Sequence, residues 1–201
     1  MWPFGKSDKS KKVQLPTLAE GLAALESLGI RKRADVTIDD LLHSTGGTAD
    51  EPTEYSSLLC ILGGEVERGD FQPISDDVWH FDTECIVDHG DYTRIAEQLF
   101  RLSKGALAIS NIKDYVSTEE SVAWLEFDFH GKRVHWDFTV QDDWVDASVL
   151  SNFSKLFRET PSTAHFTYGN LGGQDCLIGF STEEQRLALS KLTSIQFDWL
   201  T

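Results

Sequence analysis

A carboxylate beside an imidazole can relay a proton, and several carboxylates around an imidazole can hold a hard divalent cation. Glu126, Asp128, His135 and Asp137 have the residue types for either task, provided the chain brings them to one surface. The pattern of residues 122–140 does so. Apolar and polar positions alternate, and Phe129-His130-Gly131-Lys132 suits a two-residue turn with glycine at its second central position. Pairing 129 with 132 sets 127 opposite 134, 125 opposite 136 and 123 opposite 138, so Ala123, Leu125, Phe127, Val134, Trp136 and Phe138 share a dry face. On the reverse face Asp128 meets Arg133, Glu126 meets His135 and Trp124 meets Asp137. Such cross-strand pairs stabilise by about 0.2–1 kcal/mol each, and they account for these residues without catalysis. An open sheet face also lacks the burial that tunes a catalytic pKa. The expectation is a wet, mutually neutralising face with Trp124 as a contact anchor and no catalytic residue.

Other groups carry less chemistry. Asp142, Asp143 and Asp146 precede a predicted helix, where Asp146 caps the first turn; they lack the alternating carboxylates, central glycine and distant glutamate of a calcium loop, so no metal is assigned. Cys176 follows Gly172-Gly173-Gln174-Asp175 and precedes Leu177-Ile178-Gly179, the setting of a small buried strand residue rather than a nucleophile. In the predicted strand 78–87, alternation places His80, Asp82 and Glu84 on one face, while Trp79, Phe81 and Cys85 fit no single opposite row. That pattern predicts a bulge or a charged edge strand, with Asp82 and Glu84 available to a basic partner. No glycine-rich segment has the spacing or the lysine of a phosphate loop, and no cofactor is assigned.

The elements that must position these groups follow from periodicity. Thr17-Leu18-Ala19-Glu20 has capping-box spacing and opens a helix carrying Leu18, Leu22, Leu25 and Leu28 on one face, ended by Gly29. Thr37-Ile38-Asp39-Asp40 starts a second helix. Residues 55–62 are largely apolar and stop at Gly63-Gly64, which favours helix slightly over strand. Strands are expected at 78–87, 134–140 and 176–180, each followed by a helix, beginning near Asp91, Asp146 and Ser181. The last of these carries Ser181-Thr182-Glu183-Glu184 as a capping box. The expected fold is α+β: a mainly antiparallel sheet of four to six strands with helices packed on one face, preceded by N-terminal helices and a flexible basic tail.

Composition bounds the function. The chain has 201 residues, 40% hydrophobic and 25% charged, enough for one sizeable core, so residues 15–201 are expected as a single acidic domain behind the tail, 1–14. Cys60, Cys85 and Cys176 are far apart and odd in number, which reads as reduced thiols. No apolar run reaches the length of a membrane span, and lysines follow Met1-Trp2-Pro3-Phe4 where a signal peptide needs its apolar stretch, so a cytoplasmic location is expected. Net charge is −15, divided as +4 over residues 1–33 and −19 over the remainder. That body repels nucleic-acid phosphates within a Debye length of about 8 Å and attracts basic proteins. The reading is a non-catalytic acidic binding protein, such as an immunity-type inhibitor of a basic toxin or nuclease, with Trp124, Glu126, Asp128, His135, Asp137, Asp82 and Glu84 as partner-binding residues. The alternative is a metal-dependent hydrolase using the hairpin carboxylates and His135.

Overall fold

The structure, a computed structural model, describes residues 15–45 and 47–201; the predicted basic tail lies outside them. Helix α1 (Leu18–Ser27) opens on the expected box, Thr17 Oγ1 accepting from the Glu20 amide at 3.3 Å and Glu20 Oε2 accepting from the Thr17 amide at 2.9 Å. Thr37 and Asp40 make the same exchange at the start of α2 (Ile38–Thr45). The segment left between helix and strand is helical, α3 (Tyr55–Gly63). Its last residue must be small, because a Cβ on Gly63 would lie 2.5 Å from the backbone nitrogen of His80.

A short hairpin follows, β1 (Glu65–Arg68) and β2 (Asp70–Pro73), and then β3 (Val78–Asp82), α4 (Asp91–Leu102) and β4 (Ile109–Ser117). The chain continues through β5 (Val122–Phe129), β6 (Lys132–Thr139), α5 (Ser148–Phe157), β7 (His165–Gly172), β8 (Asp175–Ser181), α6 (Glu183–Thr193) and β9 (Phe197–Trp199). Helices with antiparallel sheets make the fold α+β, as expected.

The arrangement of the sheets differs from the expectation. Instead of one sheet, a four-stranded sheet of order β3-β8-β7-β9 and a three-stranded sheet of order β4-β5-β6 form, beside the β1-β2 pair. Nor are helices confined to one face of the four-stranded sheet. In β8, Cys176 and Ile178 join a core with α4, α5 and the three-stranded sheet, while Leu177 joins a second core with α1, α2 and α3. β3 divides the same way, Trp79 and Phe81 to the first core and Val78 to the second. A strand wetted on neither face has no polar alternation to show, which is why Cys176-Leu177-Ile178-Gly179-Phe180 is apolar throughout.

Two boundaries also shift. The strand expected over 78–87 ends at Asp82, whose Oδ1 turns back to accept from the Glu84 amide at 2.9 Å, so the chain leaves the sheet. The capping box of α6 sits one residue later than predicted: Thr182 and Gln185 make the reciprocal bonds, and Ser181 stays in β8. β3 is an edge strand, in line with its charges.

Asp146 ties α5 to the hairpin. Its carboxylate accepts from the Ser148 amide at 2.9 Å and the Thr139 amide at 3.1 Å, and its own amide donates to the Tyr92 hydroxyl at 3.2 Å. Partial burial pushes this carboxyl's pKa up, but the bonds from Ser148 and Thr139 outweigh it and leave it below the ordinary value. Asp146→Ala is expected to cost about 1–2 kcal/mol at neutral pH, the scale of a lost N-terminal cap. Because the folded pKa is lowered, that stabilisation is present above the ordinary aspartate value of 3.8 and is lost as pH falls through the folded value. Urea midpoints of the wild type and variant should therefore converge on acidification; a gap that persists in strong acid would assign the effect to packing.

Candidate functional surfaces

The hairpin has the register derived from sequence, with Glu126 opposite His135, Asp128 opposite Arg133 and Trp124 opposite Asp137. His130 and Gly131 both take positive φ, 49° and 74°, as a two-residue turn of this hand requires. On the polar face Arg133 Nε lies 2.9 Å from Asp128 and its Nη1 3.3 Å from Glu126, while His135 stands 3.5 Å from Glu126 through Nδ1 and 3.1 Å from Asp137 through Nε2. Asn111, in a bulge of β4, donates to Asp128 at 2.6 Å. Glu126, Asp128, His135 and Asp137 do come together.

Two details depart from the expectation. Trp124 lies opposite Asp137 as expected, but its ring also stacks on His135 at 5.7 Å, with Tyr115 on the neighbouring strand at 6.1 Å and His89 beyond at 4.9 Å. It is half-buried rather than freely solvent-facing, because the unanticipated β4 makes β5 the central strand. Lys113 sits opposite Glu126 on the same face, so with Arg133 it offsets two of the three carboxylates Glu126, Asp128 and Asp137. This face is nearly neutral. Asp137 is open to solvent at 85% exposure, and Glu126, Asp128 and His135 are partly exposed beside it.

The acid excess concentrates elsewhere. Residues 82–88 run beside residues 141–146, held by the Ile86 amide donating to Asp143 at 2.9 Å, the Val145 amide donating to Thr83 at 2.8 Å and a bridge between Glu84 and Trp144. Asp82, Glu84, Asp88, Asp142, Asp143 and Asp146 thus line one ridge, with Asp91 just beyond, and neither segment contains a Lys or Arg. Among the described residues no Lys or Arg forms an ion pair with these seven carboxylates. Their field is felt by Cys85: burial first, and then Asp91 and Asp82, push its thiol up to about 12. Two large apolar side chains stand out on the ridge, Val87 at 72% exposure and Trp144 at 42%.

Trp144 also borders an open cleft of about 430 Å³ whose walls are Val145, Leu150, Tyr168, Trp199 and Leu200. The Arg186 guanidinium lies over the Trp199 ring, 5.0 Å from its centre. A smaller cleft of about 230 Å³ lies between β3 and α4, lined by His80, Asp82, Cys85, Asp91 and Arg94, the last paired with Glu65. In it His80 Nε2 is 3.3 Å from Asp175 but without hydrogen-bond geometry.

Of the sequence-predicted residues, Asp82 and Glu84 therefore belong to the ridge and the other five to the hairpin face. Sequence reading missed Trp144 and Val87. Trp144 does carry a signal in the sequence, an aromatic set between acids in Asp142-Asp143-Trp144-Val145-Asp146, a pattern that a helix cap with solvated neighbours also explains. Cys176 is a buried residue of β8, its thiol raised to about 12 by burial first. Among the described residues no group of three or more His, Cys, Asp and Glu is arranged to hold a metal ion, and no helix is long and apolar enough to cross a membrane. Comparison with protein-family models, with curated proteins and with solved structures finds no match to this chain.

Proposed function

We propose that this chain is a non-catalytic acidic binding protein that docks a basic protein by charge complementarity, the form best suited to its charge being an immunity-type inhibitor of a basic toxin or nuclease. The observation that carries the reading is the ridge of residues 82–88 and 141–146, a row of carboxylates with no cation of its own and with Val87 and Trp144 exposed along it. Charge in such a row speeds encounter and rejects like-charged partners, nucleic acid among them, while an exposed Trp supplies the apolar contact that slows release. The hairpin residues Trp124, Glu126, Asp128, His135 and Asp137 flank this surface as a polar rim whose charges are already paired.

The rival, a metal-dependent hydrolase, draws on the contacts of His135 with Glu126 and Asp137. Its imidazole hydrogen-bonds Asp137 through Nε2 and stands 3.5 Å from Glu126 through Nδ1 on an open face, the setting of a structural pair rather than a poised base. One experiment separates the readings. Capture of basic proteins is compared for the wild type, an Asp142→Lys/Asp143→Lys variant and a Glu126→Gln variant, at about 0.05 M and about 0.5 M salt. A specific basic partner should be retained by the wild type and by Glu126→Gln, and lost with the ridge variant and at the higher salt. Retention by the ridge variant sinks the docking reading. Micromolar binding of Mg²⁺, Ca²⁺, Mn²⁺ or Zn²⁺ in calorimetry, abolished by Glu126→Gln, would support the hydrolase reading instead.

A further inference from the structure

The three-stranded sheet has two edges, and they differ. β4 is bulged between Ser110 and Lys113, and its Val116 amide donates to His89 Nδ1 at 3.1 Å, so that edge is both bent and occupied. β6 runs through Lys132–Thr139 without a bulge or a proline, and among the described residues only β5 pairs with it. The two-residue turn at His130 and Gly131 makes 129 and 132 a hydrogen-bonded pair, so even-numbered residues of β6 aim their backbone groups at β5 and odd-numbered residues aim theirs away. Two bonds agree with this alternation: the Val140 amide donates inward to Ser121 at 3.2 Å, and the Thr139 amide donates outward to Asp146 at 3.1 Å. Among the described residues no hydrogen bond from elsewhere in the chain reaches the outward N–H and C=O groups of Arg133, His135 and Asp137. We propose that β6 is the interface of a homodimer, in which β6 of a second copy pairs with it antiparallel about a two-fold axis at His135.

Self-complementarity selects this occupant and this register. With His135 opposite its own symmetry mate, Arg133 faces Asp137 of the second copy on the polar side, and Asp137 faces Arg133 of the second copy. On the core side Val134 meets Trp136 of the second copy and the reverse, and both residues are only half-buried in one copy. Moving the axis one residue toward the turn would set Arg133 against His135 and leave Asp137 opposite Gly131. Moving it one residue the other way would need the Thr139 amide, which Asp146 already holds. Asp137 is 85% exposed, and among the described residues its one ionic neighbour is His135, so the second copy supplies the cation that its own chain does not.

Net charge does not oppose the contact locally: β6 carries Lys132 and Arg133 against Asp137 alone, although the whole chain stands at −15. Each outward pair exchanges two backbone hydrogen bonds, and the two sheets become one. The contact is small, of the weak class below about 1,200 Å², and a dissociation constant on the order of 100 µM is expected. It does not rest on the docking reading, since neither Asp142 nor Asp143 takes part in it.

Sedimentation velocity of the full chain from about 5 to about 1,000 µM brackets that constant and should show monomer passing to dimer. Over the same range amide exchange at Arg133, His135 and Asp137 should slow, while Val134 and Trp136, already bonded to β5, stay protected throughout. Arg133→Asp and Asp137→Arg each set like charges against one another twice in the dimer, and each alone is expected to weaken it about tenfold. Mixed in equal amounts the two variants should pair again, because one then presents acids at both positions and the other bases at both. A wild type that stays monomeric up to about 1,000 µM overturns the proposal, as does a dimer that both single variants retain. A mixture of the two folded variants that fails to pair overturns it too, as does exchange at the three outward amides that ignores concentration. That exchange, with Asp137→Arg at a side chain 85% exposed, decides the matter even where Arg133→Asp weakens the hairpin.

Discussion

Phe127→Ala is expected to lower stability by about 3–5 kcal/mol, more than any single change on the polar surfaces. Phe127 projects from β5 with no exposure, stacking on Phe153 of α5 at 5.4 Å and meeting Trp136 of β6 edge-on at 5.0 Å. Trp136 in turn meets Phe153 edge-on at 4.8 Å, so one ring joins two strands and a helix. Truncation removes the ring's transfer energy and leaves a cavity that rigid aromatic neighbours cannot close. Urea unfolding read by tryptophan fluorescence measures it, with Phe127→Leu as the milder control. A loss below about 1 kcal/mol would mean that the three-stranded sheet does not rest on this contact.

A second large effect concerns the thiols. Burial is the first cause that raises all three cysteines, and Cys85 and Cys176 are each pushed up to about 12 from 9.0. Since the thiolate is the reacting species, alkylation of these two in the native protein at mildly alkaline pH should be about 1,000-fold slower than in the unfolded chain. The raised pKa also sets the direction of alkaline instability. Each thiol stays protonated in the folded state where the unfolded chain would ionise, so stability held below the free value of 9.0 is lost as pH rises from there toward 12. Mass spectrometry of timed iodoacetamide reactions gives the rates. Rapid native labelling of Cys85 would contradict its burial beside the ridge and bring a nucleophilic role back into question.

Much of the local structure was legible in the order of residues. The hairpin register, its turn and the sides taken by Leu125, Phe127, Glu126 and His135 follow from a two-residue period and a glycine placed for positive φ. The box at Thr17 and Glu20 is equally local. Other elements left no such mark. β4 is bulged between Ser110 and Lys113 and mixes polar with apolar residues, and β7 carries Gly169 where a Cβ would strike the Phe197 ring at 2.6 Å. Each is a strand because of what lies beside it, which lowers the weight of its own propensity.

The candidate surface divides in the same way. Charge totals and the pairing of Arg133 with Asp128 needed only sequence, yet placing Asp143 beside Ile86 and Gln174 beside Thr83 requires contacts between residues far apart in the chain. The sequence by itself determined a mixed α+β chain with one fully specified hairpin and a strongly acidic body, because neighbouring residues and a short period suffice for those. Tertiary structure alone decided that the strands divide among separate sheets, that Trp124 is sheltered by Tyr115 and that Trp144 stands exposed among acids with which no described Lys or Arg forms an ion pair. Those outcomes depend on which distant segments share a core, and packing selects the partners only once the whole chain has folded.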